Sequence, residues 1–170
     1  MSKSTPSRPP IAKAKRTFHI VASRFNTQYV DGLVDHVSEE LRALAPHSTI
    51  LVHRVPGSFE IPVVAREVAI RNADAIIACG VILQGETDHA QNLSRSVTDA
   101  LQRIAIEQGV PVINVVLSFD NENQARARCL ENKINRGTEA ARAAVEIANV
   151  LSEVRSKQGA AVSKSPRDNG

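Results

Sequence analysis

His89 lies two residues after Thr87 and three after Glu86, in the stretch Cys79-Gly80-Val81-Ile82-Leu83-Gln84-Gly85-Glu86-Thr87-Asp88-His89. An imidazole titrates near neutrality, so it can take up and return a proton at working pH. A glycine-containing turn that opens a helix leaves backbone N–H groups without intrahelical partners. Those donors, together with the helix dipole, favour an anion. Glu86 and Thr87 supply two such N–H groups and a hydroxyl. The chemistry that suits this spacing is proton transfer beside a seated anion such as a phosphate. A plain helix start carrying a surface histidine has the same residues, and on this stretch alone the two readings stand level.

Other residues at polar breaks could join that chemistry. Phe25, in Ser23-Arg24-Phe25-Asn26, is one of only five Phe and Tyr side chains. It reads as a ring-stacking surface or as closure of the core. Glu60, in Val55-Pro56-Gly57-Ser58-Phe59-Glu60, either favours a helix dipole or accepts N–H bonds from a heterocycle. Arg126 and Arg128 sit close together on a charged segment; a solvated helix face is the default. A planar guanidinium there would also suit a phosphate if the segment reaches a pocket. The other histidines (His19, His36, His47, His53) read as structural or solvated. No residue set has metal-ligand spacing, and neither a dinucleotide-binding glycine motif, a Walker loop nor a nucleophile elbow is present.

The elements that must position these residues follow from hydrophobic periodicity. Thr17 to Ala22 reads as a strand, and Thr27 as the cap of a helix that buries Val30, Leu33, Val34, Val37, Leu41 and Leu44. Ser48 to Val55 alternates as a second strand. Ser58 then caps a helix with Pro62 in its first turn. Ala75 to Leu83 is an apolar strand, followed by a helix with Leu93, Val97, Leu101 and Ile104 inward and Gly109 as its stop. Val110 to Leu117 is the fourth strand, Asn121 to Leu130 a short charged helix, and Thr138 to Val154 an alanine-rich one. Strand alternates with helix, and several strands are apolar enough for cover on both faces. That predicts an α/β fold, a parallel sheet between two helical layers. Ligands of such sheets bind outside the carboxyl ends of the strands, where Phe25, Ser58-Phe59-Glu60, Glu86-Thr87-His89 and Ser118-Phe119-Asp120 all fall.

Composition narrows the function classes. The chain has 170 residues and a net charge of +3. Residues 1–16 carry five cations and no acid, and the last sixteen four cations and one acid. Residues 17–154 are left with 12 basic and 17 acidic side chains, net −5. The basic pI belongs to the ends, which argues against a nucleic-acid surface on the folded core. The expected organisation is a disordered basic tail over 1–16, one α/β domain over 17–154 and a disordered tail over 155–170. Cys79 and Cys129 lie in unrelated contexts, which suits a reducing cytoplasm and argues against a disulfide framework. No apolar run reaches membrane-span length, and the N-terminus lacks a signal-peptide apolar core.

Four strings together resemble the lumazine synthase family: Ser23-Arg24-Phe25-Asn26, Val55-Pro56-Gly57-Ser58-Phe59-Glu60-Ile61-Pro62, Gly80 through His89, and Asn135-Arg136-Gly137 with Glu139-Ala140-Ala141. The resemblance covers about residues 17–152. It implies a flavodoxin-like three-layer αβα sandwich on a four-stranded parallel sheet. The implied reaction is condensation of 5-amino-6-(D-ribitylamino)uracil with 3,4-dihydroxy-2-butanone 4-phosphate, without metal or organic cofactor. Carried over by position, Phe25 stacks on the pyrimidine, while Ser58, Phe59, Glu60, Val81, Ile82 and Leu83 bind the ribityl-uracil. Glu86, Thr87 and Arg128 hold the phosphate, and His89 moves protons. The resemblance further implies a homo-oligomer with sites between subunits, a pentamer or a capsid of pentamers, and riboflavin synthase as a partner. Asn114 departs from the pattern, standing where many members have an aromatic that a neighbouring subunit lends to the heterocycle. Losing that stacking face costs on the order of 1 kcal/mol unless Asn114 supplies a hydrogen bond instead. A flavin- or lumazine-binding or shell-forming relative with weak catalysis is the competing expectation.

Overall fold

The computed structural model describes residues 7–85 and 88–162, with side chains as far as 157. Its elements are β1 (Thr17–Ser23), α1 (Thr27–Leu44), β2 (Thr49–Val55), a 3-10 turn (Ser58–Glu60), α2 (Ile61–Ala69), β3 (Ala75–Leu83), α3 (His89–Gln108), β4 (Val112–Phe119), α4 (Glu122–Cys129) and α5 (Arg136–Val162). The four strands form one parallel sheet in the order β2-β1-β3-β4, the doubly wound arrangement expected.

Each strand serves two layers. On β1, Phe18, Ile20 and Ala22 pack with α1, α4 and α5, while Val21 packs with α2 and α3. On β3, Ala75, Ile77, Cys79 and Val81 face the first layer, and Ile76, Ala78 and Ile82 the second. Such two-sided burial explains why these strands read as continuous apolar runs. Because all four strands run parallel, their carboxyl ends share one edge, with the reversal of strand order falling between β1 and β3. Gly109, in the left-handed region at φ 64, ends α3 where its spacing predicts a stop.

Several local expectations differ from the structure. Asn26, in the left-handed region at φ 54, takes the cap position of α1, and the Thr27 hydroxyl donates back to the Arg24 carbonyl. Ser58 begins a 3-10 turn rather than capping α2 directly. The last helix starts at Arg136 and reaches Val162, past the expected end at Val154. Its N-terminal support is the buried Asn135, whose Oδ1 accepts from the N–H groups of Gly137 (2.8 Å) and Thr138 (3.4 Å). The basic N-terminal segment touches the fold at Arg8 and Ala12, while Ile11, Lys13, Ala14 and Lys15 are exposed. Ala12 is buried with its N–H on the Leu44 carbonyl (2.7 Å), and Arg8 joins Arg142 on the Glu40 carboxylate. Burial alone would raise the Glu40 pKa, but the hydrogen bonds from these two arginines outweigh it and the net shift is downward.

A pair of histidines joins the edge strand β2 to β1. His19 Nδ1 and His53 Nε2 lie 2.9 Å apart, with ring planes within 9° and centroids 5.2 Å apart. That centroid spacing fits two nearly coplanar rings placed end to end, linked by one N–H···N bond. The Asn72 carbonyl faces His19 Nε2 at 3.4 Å and can only accept, so His19 carries its proton there and accepts from His53. Burial pushes the His19 pKa below its ordinary 6.5; the Asn72 carbonyl partly offsets this, and His53 adds to it. The folded state therefore binds this proton less readily than the unfolded chain. Stability should fall as pH drops through about 6.5 and level off below the folded pKa. His19→Gln should flatten the fall in Tm between about pH 7.5 and pH 5 seen by thermal unfolding; equal slopes in both proteins would place the titration elsewhere.

Candidate active site

Along the carboxyl edge of the sheet runs a cleft of about 420 Å³ lined by Phe25, Asn26, Gly57, Ser58, Phe59, Glu60, Val81, Ile82, Leu83, His89 and Leu93. Its walls are set from three directions. The turn after β1 is held by Asn26, whose side-chain amide donates to the Val81 carbonyl at 2.8 Å. A left-handed residue at that point swings Phe25 out over the sheet, and asparagine tolerates this backbone better than most side chains. Phe25 is 71% exposed and Phe59 66% exposed. Phe25 is therefore a presented ring rather than closure of the core.

The second wall is the 3-10 turn. The Gly57 N–H donates to Glu60 Oε2 at 2.8 Å, folding the carboxylate back over its own turn. A carboxylate accepts several bonds, so Glu60 keeps capacity toward the cleft. Ser58 is buried, and its Oγ lies 2.7 Å from where a Cβ on Gly80 would stand. Only the bare backbone of Gly80 lets the turn settle this close to β3.

The third wall is the start of α3. His89 is exposed at its first position, and the Asn92 N–H on the Asp88 carbonyl (3.0 Å) is the first bond recorded there. A helix start carries N–H groups that its own backbone does not satisfy, the kind of position that suits an anion. Glu86 and Thr87, expected to seat the phosphate, lie outside the described residues. Beneath the cleft, burial pushes the Cys79 thiol up to about 12, which leaves it protonated and non-nucleophilic.

Residues 15–152 match the family described as 6,7-dimethyl-8-ribityllumazine synthase. The chain belongs to the 6,7-dimethyl-8-ribityllumazine synthase family. A relative of that name from Streptomyces coelicolor (strain ATCC BAA-471 / A3(2) / M145) is 42% identical over 137 residues, covering 79% of this chain and 84% of its own. Another of that name, from Paraburkholderia phymatum (strain DSM 17167 / CIP 108236 / LMG 21445 / STM815), is 41% identical over 133 residues, covering 77% and 75%. A third, from Azoarcus sp. (strain BH72), is 38% identical over 134 residues, covering 78% and 83%.

Within one chain the cleft gathers Phe25, Ser58, Phe59, Glu60, Val81, Ile82, Leu83 and His89. It does not gather Asn114 or Arg128. Asn114 sits on β4 at the free edge of the sheet, where its Oδ1 accepts from the Val116 N–H (2.9 Å) and its Nδ2 donates to Thr98 Oγ1 (3.0 Å). Arg128 lines a different concavity, of about 440 Å³, beside Lys133, Glu131 and Gln124. Phe119, expected to reach the same edge as Phe25, is buried in the α1 layer instead. Asn26 and Leu93 are cleft residues that sequence reasoning leaves as a polar break and a core position. A polar residue that accepts a left-handed backbone, directly after an aromatic, is the signal for the first; Leu93 carries none.

Asn26→Ala removes the bond to Val81 and puts an alanine where φ is 54. Both effects destabilise, by about 1–2 kcal/mol together, or a Tm drop of about 2–8 °C. Asn26→Gly, which relieves the backbone, should recover part of the loss by thermal unfolding; an equal drop in both variants would assign the whole effect to the Val81 bond.

Proposed function

We propose that this protein catalyses the condensation of 5-amino-6-(D-ribitylamino)uracil with 3,4-dihydroxy-2-butanone 4-phosphate to 6,7-dimethyl-8-ribityllumazine, with release of orthophosphate and two molecules of water. It acts in the cytoplasm at the penultimate step of riboflavin formation. The observation that carries the reading is the cleft itself, which joins two presented aromatic rings, a carboxylate and an imidazole at the head of a helix.

In this reading the pyrimidine stacks on Phe25. Glu60 and the backbone of Val81, Ile82 and Leu83 take its polar edge, and Ser58 and Phe59 take the ribityl chain. The phosphate lies at the start of α3, on Glu86 and Thr87. His89 then moves the protons as the aryl amine adds to the ketone with loss of water, phosphate is eliminated, and the ring closes with loss of a second water. Holding two reactants in register supplies most of the acceleration. His89 adds the part expected of a positioned general acid/base.

No lysine or arginine is among the described residues lining the cleft. A phosphate dianion needs a counter-charge, and Arg128 on α4 is the cation assigned to it here. Since Arg128 lines a separate concavity of its own chain, it serves a neighbouring subunit, which makes the protein a homo-oligomer, as a pentamer in our reading. Riboflavin synthase, which would consume the lumazine, is the expected functional partner. The tying up of Asn114 by Thr98 and Val116 favours a second reading, a lumazine- or flavin-binding relative with weak catalysis. Mixing the protein with both substrates decides between them: growth of lumazine fluorescence supports the synthase, and ligand binding without growth supports the binder.

His89→Ala should lower turnover by about one to two decades with Tm unchanged; wild-type turnover would remove the imidazole from the mechanism. Arg128→Ala should raise the KM of the phosphate substrate more than that of the pyrimidine. Co-assembly of the two impaired variants should restore part of the lost activity through the oligomers that pair an intact His89 with an intact Arg128. Equal KM effects and no restoration would overturn the shared site.

A further inference from the structure

Ser23, the last residue of β1, is fully buried, and its hydroxyl has no hydrogen-bond partner among the described residues. A buried orphan hydroxyl is destabilising, and alanine would fill the same place without that penalty. Ser48 Oγ and Arg16 Nε share this state, but neither lies at the carboxyl edge of the sheet.

The register shows what Ser23 adjoins. It alternates onto the same face as Val21, toward α2 and α3. It pairs with Val55 of β2, and continuing the Ala22–Cys79 pairing sets it beside Gly80 of β3. Gly80 in turn pairs with Val116. Val55, Ser23, Gly80 and Val116 thus form one row across the sheet, directly below the cleft. The space that Gly80 leaves open is taken by the Ser58 hydroxyl, with Ile61 beside it. Two hydroxyls therefore occupy adjoining positions in an otherwise apolar row: Ser23 below and Ser58 at the cleft wall.

We propose that Ser23 is a positioning residue for the pyrimidine substrate, its orphan hydroxyl turning to donate to Ser58 Oγ when substrate binds, so that the Ser58 O–H is aimed at the ribityl chain. The inference rests on the substrate reading above and adds to it a residue that does not itself line the cleft. A hydroxyl has one proton and two lone pairs. With its acceptor side occupied by Ser23, Ser58 becomes a directed donor toward the ligand. The destabilising orphan is the free-state counterpart of a bond made only in the complex.

The test is calorimetric binding of 5-amino-6-(D-ribitylamino)uracil, with steady-state kinetics and thermal unfolding in parallel. Ser23→Ala should weaken pyrimidine affinity about 3- to 10-fold, the worth of one hydrogen bond. The KM of the butanone phosphate should not move, and the Tm of the free protein should hold or rise. Ser23→Cys, a somewhat larger side chain with a much weaker donor, should follow the alanine variant in affinity. In a Ser58→Ala background Ser23→Ala should have no further effect on affinity, because the two act as a unit. Unchanged affinity, a lowered Tm or additive losses with Ser58→Ala would each overturn the inference. A wild type that binds the pyrimidine but forms no product would remove the catalytic reading and leave the Ser23 comparison standing. A wild type that binds no pyrimidine would remove both.

Discussion

The absence of a side chain at Gly80 sets the depth of the site. Ser58 Oγ occupies the space a Cβ would fill, and Ile61 and Val116 close in at 3.4 and 3.2 Å from the same point. A larger residue would lift the 3-10 turn off the sheet, and with it Phe59, Glu60 and the entry to α2. The Gly57–Glu60 bond, the Pro62 start of α2 and the exposure of Phe59 all presuppose that seating. The turn after β1 follows from a parallel constraint, since Asn26 anchors on the carbonyl of Val81, the residue next to Gly80. Both aromatic walls are thus referenced to one short piece of the central strand.

That dependence explains which features were legible in the sequence. β3 is buried on both faces, so its composition alone marks it as a central strand, and the carboxyl-end rule then locates the cleft. Phe25, Glu60 and His89 could be nominated because each stands at a polar break where a core residue would be out of place. Phe119 has the same local context and packs inward, at the end of the edge strand β4 and within the layer of α1, α4 and α5. The difference lies in strand order, which local patterning does not carry. The same holds for Asn135-Arg136-Gly137, which contributed to the family likeness. Asn135 caps α5, and a Cβ at Gly137 would stand 2.5 Å from the Leu33 carbonyl, so two of the three serve helix packing. Ends of elements were the other weak point, since the cap of α1 is decided by one left-handed residue and the length of α5 by packing rather than propensity.

Asn114, expected to stand at a site position, has a role within its own chain. β4 forms the edge of the sheet, and the Val116 N–H has no strand beside it to pair with. The Asn114 carboxamide accepts from that N–H and donates to Thr98, covering part of an edge that would otherwise invite pairing with another strand. An aromatic ring could not make these bonds. The residue is accounted for within its own chain, so any contact to a neighbour's ligand would have to compete with two existing hydrogen bonds.

Two features of the single chain favour the proposed shared site. Phe25 and Phe59 present apolar rings to solvent at the same cleft, an arrangement that normally marks a surface meant to be covered. The cleft also has a carboxylate and an imidazole but no cation among its described residues, while Arg128 and Lys133 stand together in a concavity without an aromatic lining. The aromatic-lined cleft and the basic concavity are therefore separate surfaces of the same fold. In the proposed ring, rotational repetition of the chain would bring these unlike faces together with no rearrangement inside the subunit. Substrate selection and assembly would then depend on the same residues, so a chain unable to associate would keep its fold and lose its counter-charge.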